Sequence, residues 1–249
     1  MTVQLCTVRA GRERLGPGHD RPRHRHLEPY AILVLRGAFA QTSYAGRVRV
    51  GAGDLLVQPP LDCHANRMLT PGAEILRLPW PDVADLGGVY PLPDADAIAR
   101  AAERDPLDAA ALARAHAHAH AHAHVMTRKR AANDLPDLLA AALVAGTVPS
   151  LAAWAERAGV ARETVARAFT AAYGVPARRF RVELRARAAW LAIVRTRDPL
   201  AAIAAAAGFA DQAHMTRDIR ALTGAPPAAW RGISRTSAAR NEKIIFSFR

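Results

Sequence analysis

"LAAWAERAGVARETVARAFTAAYGVP", Leu151 to Pro176, and "LAAIAAAAGFADQAHMTRDIRALTGAPP", Leu200 to Pro227, are two copies of one pattern. The offset is 49 through the first half, pairing Leu151 with Leu200, Trp154 with Ile203 and Gly159 with Gly208. It becomes 50 afterwards, pairing Val165 with Met215, Arg167 with Arg217, Phe169 with Ile219 and Gly174 with Gly224. Leu151, Trp154, Ala155 and Ala158 recur at i, i+3, i+4 and i+7, and Val165, Phe169 and Ala172 form a second stripe. Each copy therefore predicts helix, turn, helix, with the stripes as core. Gly159 and Gly208 allow a bend that a Cβ opposes. Between the copies, Pro176 to Asp198 predicts a long helix with Phe180, Leu184, Ala188, Leu191 and Val194 on its apolar face. Twenty or so helical residues span roughly 30 Å. That is close to one turn of B-DNA, about 34 Å.

Charge points the same way. The chain has 249 residues and a net charge of +12, of which residues 126–249 hold +11. A basic half of this kind favours a polyanion. Opposite the apolar stripes, Arg162, Glu163 and Arg167 in the first copy and Gln212, His214 and Arg217 in the second are candidate base-reading residues. Arginine pairs in two-pronged fashion with guanine and glutamine with adenine, which suits the start of a recognition helix. Thr164, Arg178, Arg179, Thr216 and Arg220, together with Arg185 and Arg187 on the long helix, are candidate phosphate contacts that set register without reading sequence.

This half resembles the AraC/XylS family of transcriptional regulators. The signature is carried by Ala204 to Arg231: Gly208-Phe209 at the turn, Met215 at the usual aromatic position, Thr216-Arg217, Gly224, Pro227 and Trp230-Arg231. The resemblance covers about 134–232 and implies a two-unit helix-turn-helix domain bound to promoter DNA, acting as an activator with RNA polymerase. Ile219 stands where phenylalanine is more usual. The family often places a cupin-like sensing and dimerising domain ahead of it.

The first half fits that expectation. From Val3 to about Leu78, short apolar runs are broken by Gly, Pro, Asn and Asp, as in a small barrel or sandwich. His24 and His26 lie two apart, so on a strand both point to one face, and His64 can complete a trio. The spacing Gly18, His24-x-His26, Tyr30, Gly37, then Gly53, Pro59, His64 resembles the two cupin motifs. Tyr30 stands where metal-binding cupins usually carry a Glu ligand, Leu61 where they carry Gly, and Met68 where they carry Asn. Three readings stay open: His24, His26 and His64 hold a divalent metal; the same residues with Tyr30 line a small-molecule effector pocket; or they are hydrogen-bonded core.

The expected fold class is α+β, an N-terminal small cupin-like β-barrel followed by an all-α domain of two helix-turn-helix units joined by a long helix. The expected division is 1–90 sensing and dimerisation, 91–132 helical linker, 133–232 DNA binding and 233–249 a tail without assigned function. The reading is a sequence-specific regulator, not an enzyme, that answers to a small molecule or metal and acts as a homodimer on double-stranded promoter DNA. The rival is a metal-dependent cupin dioxygenase or isomerase fused to a DNA-binding domain. No signal peptide and no apolar stretch of about 18 residues is present, so a cytoplasmic location and no membrane partner are expected. Cys6 and Cys63 are too few for a disulfide framework.

The linker contains "AHAHAHAHAHVM", Ala115 to Met126. On a helix, His116, His120 and His124 share one face and His118 and His122 another, spacing that can chelate zinc or nickel. With 32 of the 34 basic residues arginine, the repeat also reads as expansion in GC-rich coding sequence, leaving a connector.

Overall fold

The computed structural model describes residues 4–80, 87–124 and 134–231, with the side chains of 120–124 excepted. The tail and most of the expected linker beyond His124 lie outside them. The chain forms two compact units, Met1–Ala177 and Arg178–Arg249.

The first unit begins with eight strands: β1 (Gln4–Cys6), β2 (Gly11–Leu15), β3 (Arg21–His26), β4 (Tyr30–Ser43), β5 (Gly46–Gly51), β6 (Asp54–Gln58), β7 (His64–Pro79) and β8 (Gly88–Pro91). They make one sheet in the order β1-β3-β7-β4-β6-β8, with β2 on β7 and β5 on β4. The pairing path runs from β1 to β8 without closing, so the barrel expected from the sequence is realised as an open sheet.

β4 explains its own composition. A run such as "YAILV" has no polar face, which requires cover on both sides. Tyr30, Ile32 and Val34 pack on one side with Leu56, Met68 and Ile75. Ala31 and Leu33 pack on the other with Leu55, Val57, Leu76 and Leu78. Beyond Val34 the ladder between β4 and β7 slips twice. Gly37 sits there at φ +72°, and a Cβ on it would lie 1.9 Å from the carbonyl oxygen of Gly72. Only glycine fits that approach.

Two helices cover the second side, α1 (Ala95–Arg104) and α2 (Pro106–His124). Asp94 caps α1 by accepting the Ala97 N–H at 2.8 Å. Ile98, Ala109, Ala113 and Ala117 are fully buried in this layer. The small alanine side chain lets helix and sheet approach closely, and Ala117 of the His-Ala repeat serves as a packing residue while Ala115 and Ala119 are exposed. His118 is exposed and His116 half-buried.

The first unit continues with α3 (Leu135–Val144), α4 (Leu151–Arg157) and α5 (Arg162–Tyr173). The second contains α6 (Ala177–Arg195), α7 (Leu200–Ala206), α8 (Gln212–Thr223) and α9 (Pro227–Trp230). The duplication read from the sequence is reproduced residue for residue: α7 begins 49 after α4 and α8 begins 50 after α5, with equal lengths. Gly159 and Gly208 take φ +66° and +74° in the turns, and Gly174 and Gly224 end the second helices at +70° and +82°. Each turn is tied by the same bond, Val160 N–H to Ala155 O and Phe209 N–H to Ala204 O, at 3.1 and 2.9 Å.

α6 departs from its expected face. Phe180 and Val194 are buried, but Leu184 and Leu191 are half-buried and Ala188 is exposed. The buried row runs Phe180, Glu183, Ala186, Trp190 and Ile193. Glu183 enters it because Arg179 Nε donates to its carboxylate at 2.8 Å, a pairing that a scan for apolar periodicity passes over.

Phe169 has no exposed surface. Phe169→Ala is expected to destabilise the protein by about 3–5 kcal/mol in urea unfolding.

Candidate nucleic-acid interface and histidine pocket

In the first copy, α5 opens with Arg162, Glu163 and Thr164, all exposed, and Arg167 is exposed one turn further on. Arg162 and Glu163 pair at 3.1 Å. The backbone N–H of Glu163 and then the Arg162 guanidinium hold that carboxyl below its usual range. In the second copy Asp211 accepts the His214 N–H at 2.6 Å, leaving Gln212 exposed at the first position of α8. Arg217 and Arg220 are exposed, while Thr216 turns its hydroxyl back to the Gln212 carbonyl at 2.8 Å.

Two residues are engaged within the second unit. Arg185 donates to Gly208 O at 3.2 Å and to Asp218 Oδ2 at 3.1 Å, and its guanidinium lies 4.3 Å from the Phe209 ring centroid. It clamps the turn to α6 and α8. The His214 ring meets the same cluster, with Nε2 3.2 Å from Arg185 Nη2 and 3.5 Å from Asp218 Oδ2. Of the phosphate candidates on α6, Arg178 is exposed, Arg179 is exposed but paired with Glu183, and Arg187 is half-buried.

The first copy is bonded to the sheet. Arg47 on β5 donates through Nε to Asp137 Oδ1 at 2.9 Å and pairs through Nη2 with Asp134, the N-cap residue of α3. Tyr173, the last residue of α5, donates its hydroxyl to the same Asp137 oxygen at 2.7 Å. Asp137 is 2% exposed. Burial, then the Asp137 carboxylate, push the Tyr173 phenol up, so it remains a donor. Sequence reasoning missed this bridge because its members stand 90 and 36 residues apart.

The histidines do assemble. His24 on β3 pairs in register with His64 at the start of β7. Their ring centroids are 4.3 Å apart, with His26 5.0 Å from His24 and 5.5 Å from His64. Each Nδ1 meets a backbone carbonyl: His24 that of Pro22 at 2.7 Å, His26 that of Cys6 at 2.9 Å and His64 that of Asp62 at 2.9 Å. A carbonyl only accepts, so Nδ1 carries the proton and Nε2 keeps its lone pair. Tyr30 therefore donates its hydroxyl to His64 Nε2, at 3.1 Å.

One ring nitrogen from each histidine lies within 4.8 Å of the others, and all three residues are buried. Neutral imidazoles oriented by carbonyls suit a divalent metal with an open position. Among the described residues no carboxylate or thiol joins the cluster. A metal would have to draw His64 away from Tyr30. Burial, then the neighbouring His24, hold His26 down to about 4, and burial also lowers His24 and His64.

His24, His26 and Tyr30 line a cavity of about 450 Å³, with Arg21, Asn66 and Arg77 at its polar side. Arg21 was not legible in the sequence, because strict alternation puts it on the face opposite His24 and His26. A register shift between Arg21 and His24 lets both line the cavity.

Residues 154–233 match the helix-turn-helix domain family. That match agrees with the AraC-type resemblance of the sequence. Similar solved structures include the C-terminal domain of AraT, a response regulator from Geobacillus stearothermophilus, 16% identical, covering 43% of this chain and 90% of that one with a TM-score of 0.39. The DNA-binding domain of AdpA, a global transcriptional factor solved with a target DNA, is 21% identical, covering 45% and 99%, TM-score 0.38. A mutant oxalate decarboxylase from Bacillus subtilis is 32% identical over 26% of this chain and 19% of that one, TM-score 0.25. No curated protein matches the sequence. Among the described residues no helix is long and apolar enough to cross a membrane.

Two outcomes follow from this geometry. A histidine whose folded pKa lies below its unfolded value contributes stability that is full above about 6.5 and lost as pH falls towards 4. Metal-free protein should therefore unfold at progressively lower urea between pH 7 and pH 4.5, and His26→Gln should flatten part of that slope. Arg47→Met leaves the buried Asp137 carboxylate without its cation and should cost about 3 kcal/mol by the same measurement.

Proposed function

We propose that the protein is an effector-responsive, sequence-specific regulator that binds an operator as a homodimer and activates transcription with RNA polymerase in the cytoplasm. The observation that carries the reading is the exposed polar first turn on both copies of a duplicated helix-turn-helix, in the half-chain that holds +11 of the charge. Arg162, Glu163, Arg167, Gln212, His214 and Arg217 read bases, with Thr164, Arg178, Arg179, Thr216 and Arg220 on phosphates. His214 reads from a ring braced by Arg185 and Asp218.

Effector binding couples to DNA through the sheet. Tyr30 of the pocket opens β4, the far end of β4, Ala38–Ser43, pairs with β5, and β5 carries Arg47. A ligand that displaces β4 moves the cation holding Asp137, to which the end of α5 is also bonded. The same pocket holds either a small molecule or a divalent metal on His24, His26 and His64. The protein is not an enzyme in this reading, in which Tyr30 stands where metal-binding cupins carry a Glu ligand. A stoichiometric redox metal with substrate turnover would favour the dioxygenase or isomerase alternative instead.

Genome-wide mapping of bound DNA, followed by footprinting of the strongest site, tests the reading. A short recurrent sequence is expected; uniform occupancy would overturn it. On the mapped operator, Arg217→Ala should weaken binding by about 1–3 kcal/mol and relax specificity at one position. Equal weakening on random DNA would make Arg217 a phosphate contact.

A further inference from the structure

We infer that the cavity beside the histidines takes a small organic carboxylate with an apolar body. The inference rests on the sheet unit being the effector-binding part and names the class of effector.

The cavity has two kinds of wall. Ile32, Phe39, Met68 and Ile75 form an apolar side. On the polar side Arg21 and Arg77 share a single carboxylate, Glu13: Arg21 Nη2 lies 2.7 Å from its Oε1, and Arg77 Nη1 pairs with its Oε2. Two guanidiniums on one carboxylate leave positive charge in excess. The other charged residues lining the space are Arg9 and Asp20, and one Asp20 oxygen accepts the Met68 N–H at 2.9 Å. The whole lining therefore holds three arginines against two carboxylates.

Two polar groups on this side await a partner. Arg21 Nε and Asn66 Oδ1 are buried without a hydrogen bond, and Asn66 is 8% exposed. Such groups destabilise the fold unless something pairs with them. A ligand carboxylate accepts from Arg21 Nε in the fork geometry guanidinium favours. A hydroxyl or amine on the same ligand donates to Asn66 Oδ1 or to the free Nε2 of His24 or His26. An organic cation meets uncompensated arginine, and an inorganic oxyanion leaves the apolar wall unfilled. A volume of about 450 Å³ lies within the range of small-molecule sites.

The test is thermal unfolding of the full chain with matched probes: straight-chain acids from propionate to octanoate and phenylacetate, each against its amide and its amine, with inorganic phosphate alongside. Stabilisation by at least one acid, and not by its amide or amine, is expected. Arg77→Met should abolish that shift. Glu13→Gln removes the competing carboxylate and should tighten the same acid by about tenfold, a gain that misfolding does not mimic. No shift with any acid, an equal shift with the amide, or an equal shift with phosphate overturns the inference. Operator binding by the same preparations is scored separately, so that loss of the ligand class and loss of the regulator reading are told apart.

Discussion

Burial of β4 on both faces is the constraint from which the rest of the first unit follows. Its alternate residues feed two cores at once: Tyr30, Ile32 and Val34 toward the cavity side, Ala31 and Leu33 toward α1 and α2. A strand of this kind cannot lie at an edge, and it pairs with β5, β6 and β7. Several residues of chemical interest lie on it or on a strand paired with it, while His24 and His26 on β3 are one strand further out. Tyr30 is its first residue, Arg47 lies on its hairpin partner, and His64 and Arg77 lie on β7. A chemical event in the pocket therefore acts on the most deeply packed part of the unit, where close packing transmits displacement rather than absorbing it.

The Asp137 bridge gives that displacement a direction. Arg47 and Tyr173 donate to one carboxylate oxygen, so a β-strand and the C-terminal end of α5 meet at a single atom. Buried ion pairs add little to net stability, yet breaking one strands a charge. Such a contact is costly to break and cheap to keep, which suits a fixed attachment between the sheet and α5. The second copy has no counterpart of Tyr173 at its equivalent position, where Thr223 instead bonds to Trp230. The duplication is thus exact in backbone and divergent in what its helices are tied to.

How much of this was legible depended on how local the interactions are. The duplication and its turns were legible, since short-period stripes and glycines with positive φ are written within a few positions of one another. Of the stripe Leu151, Trp154, Ala155 and Ala158, however, only Ala155 is buried and Ala158 is exposed. The trio His24, His26 and His64 was also legible, two of its members by strand parity. Arg21 was hidden by a register shift that inverts parity, and Arg77 and Asn66 carried no local mark. The face of α6 was misread because a buried row containing Glu183 looks polar until its partner Arg179 is known.

The sequence by itself determined the two helix-turn-helix copies, the basic character of the second half and the histidine trio, because short-range periodicity, composition and strand alternation do not depend on distant partners. Only the tertiary structure decided which arginine clamps a turn, that Ala117 of the His-Ala repeat packs in the helix-sheet layer, and that Arg47 is joined to α5 through Asp137. Those outcomes depend on side chains tens of residues apart meeting in a low-dielectric interior, where charge must find a partner and shape must fit. No pattern within a single segment encodes either condition.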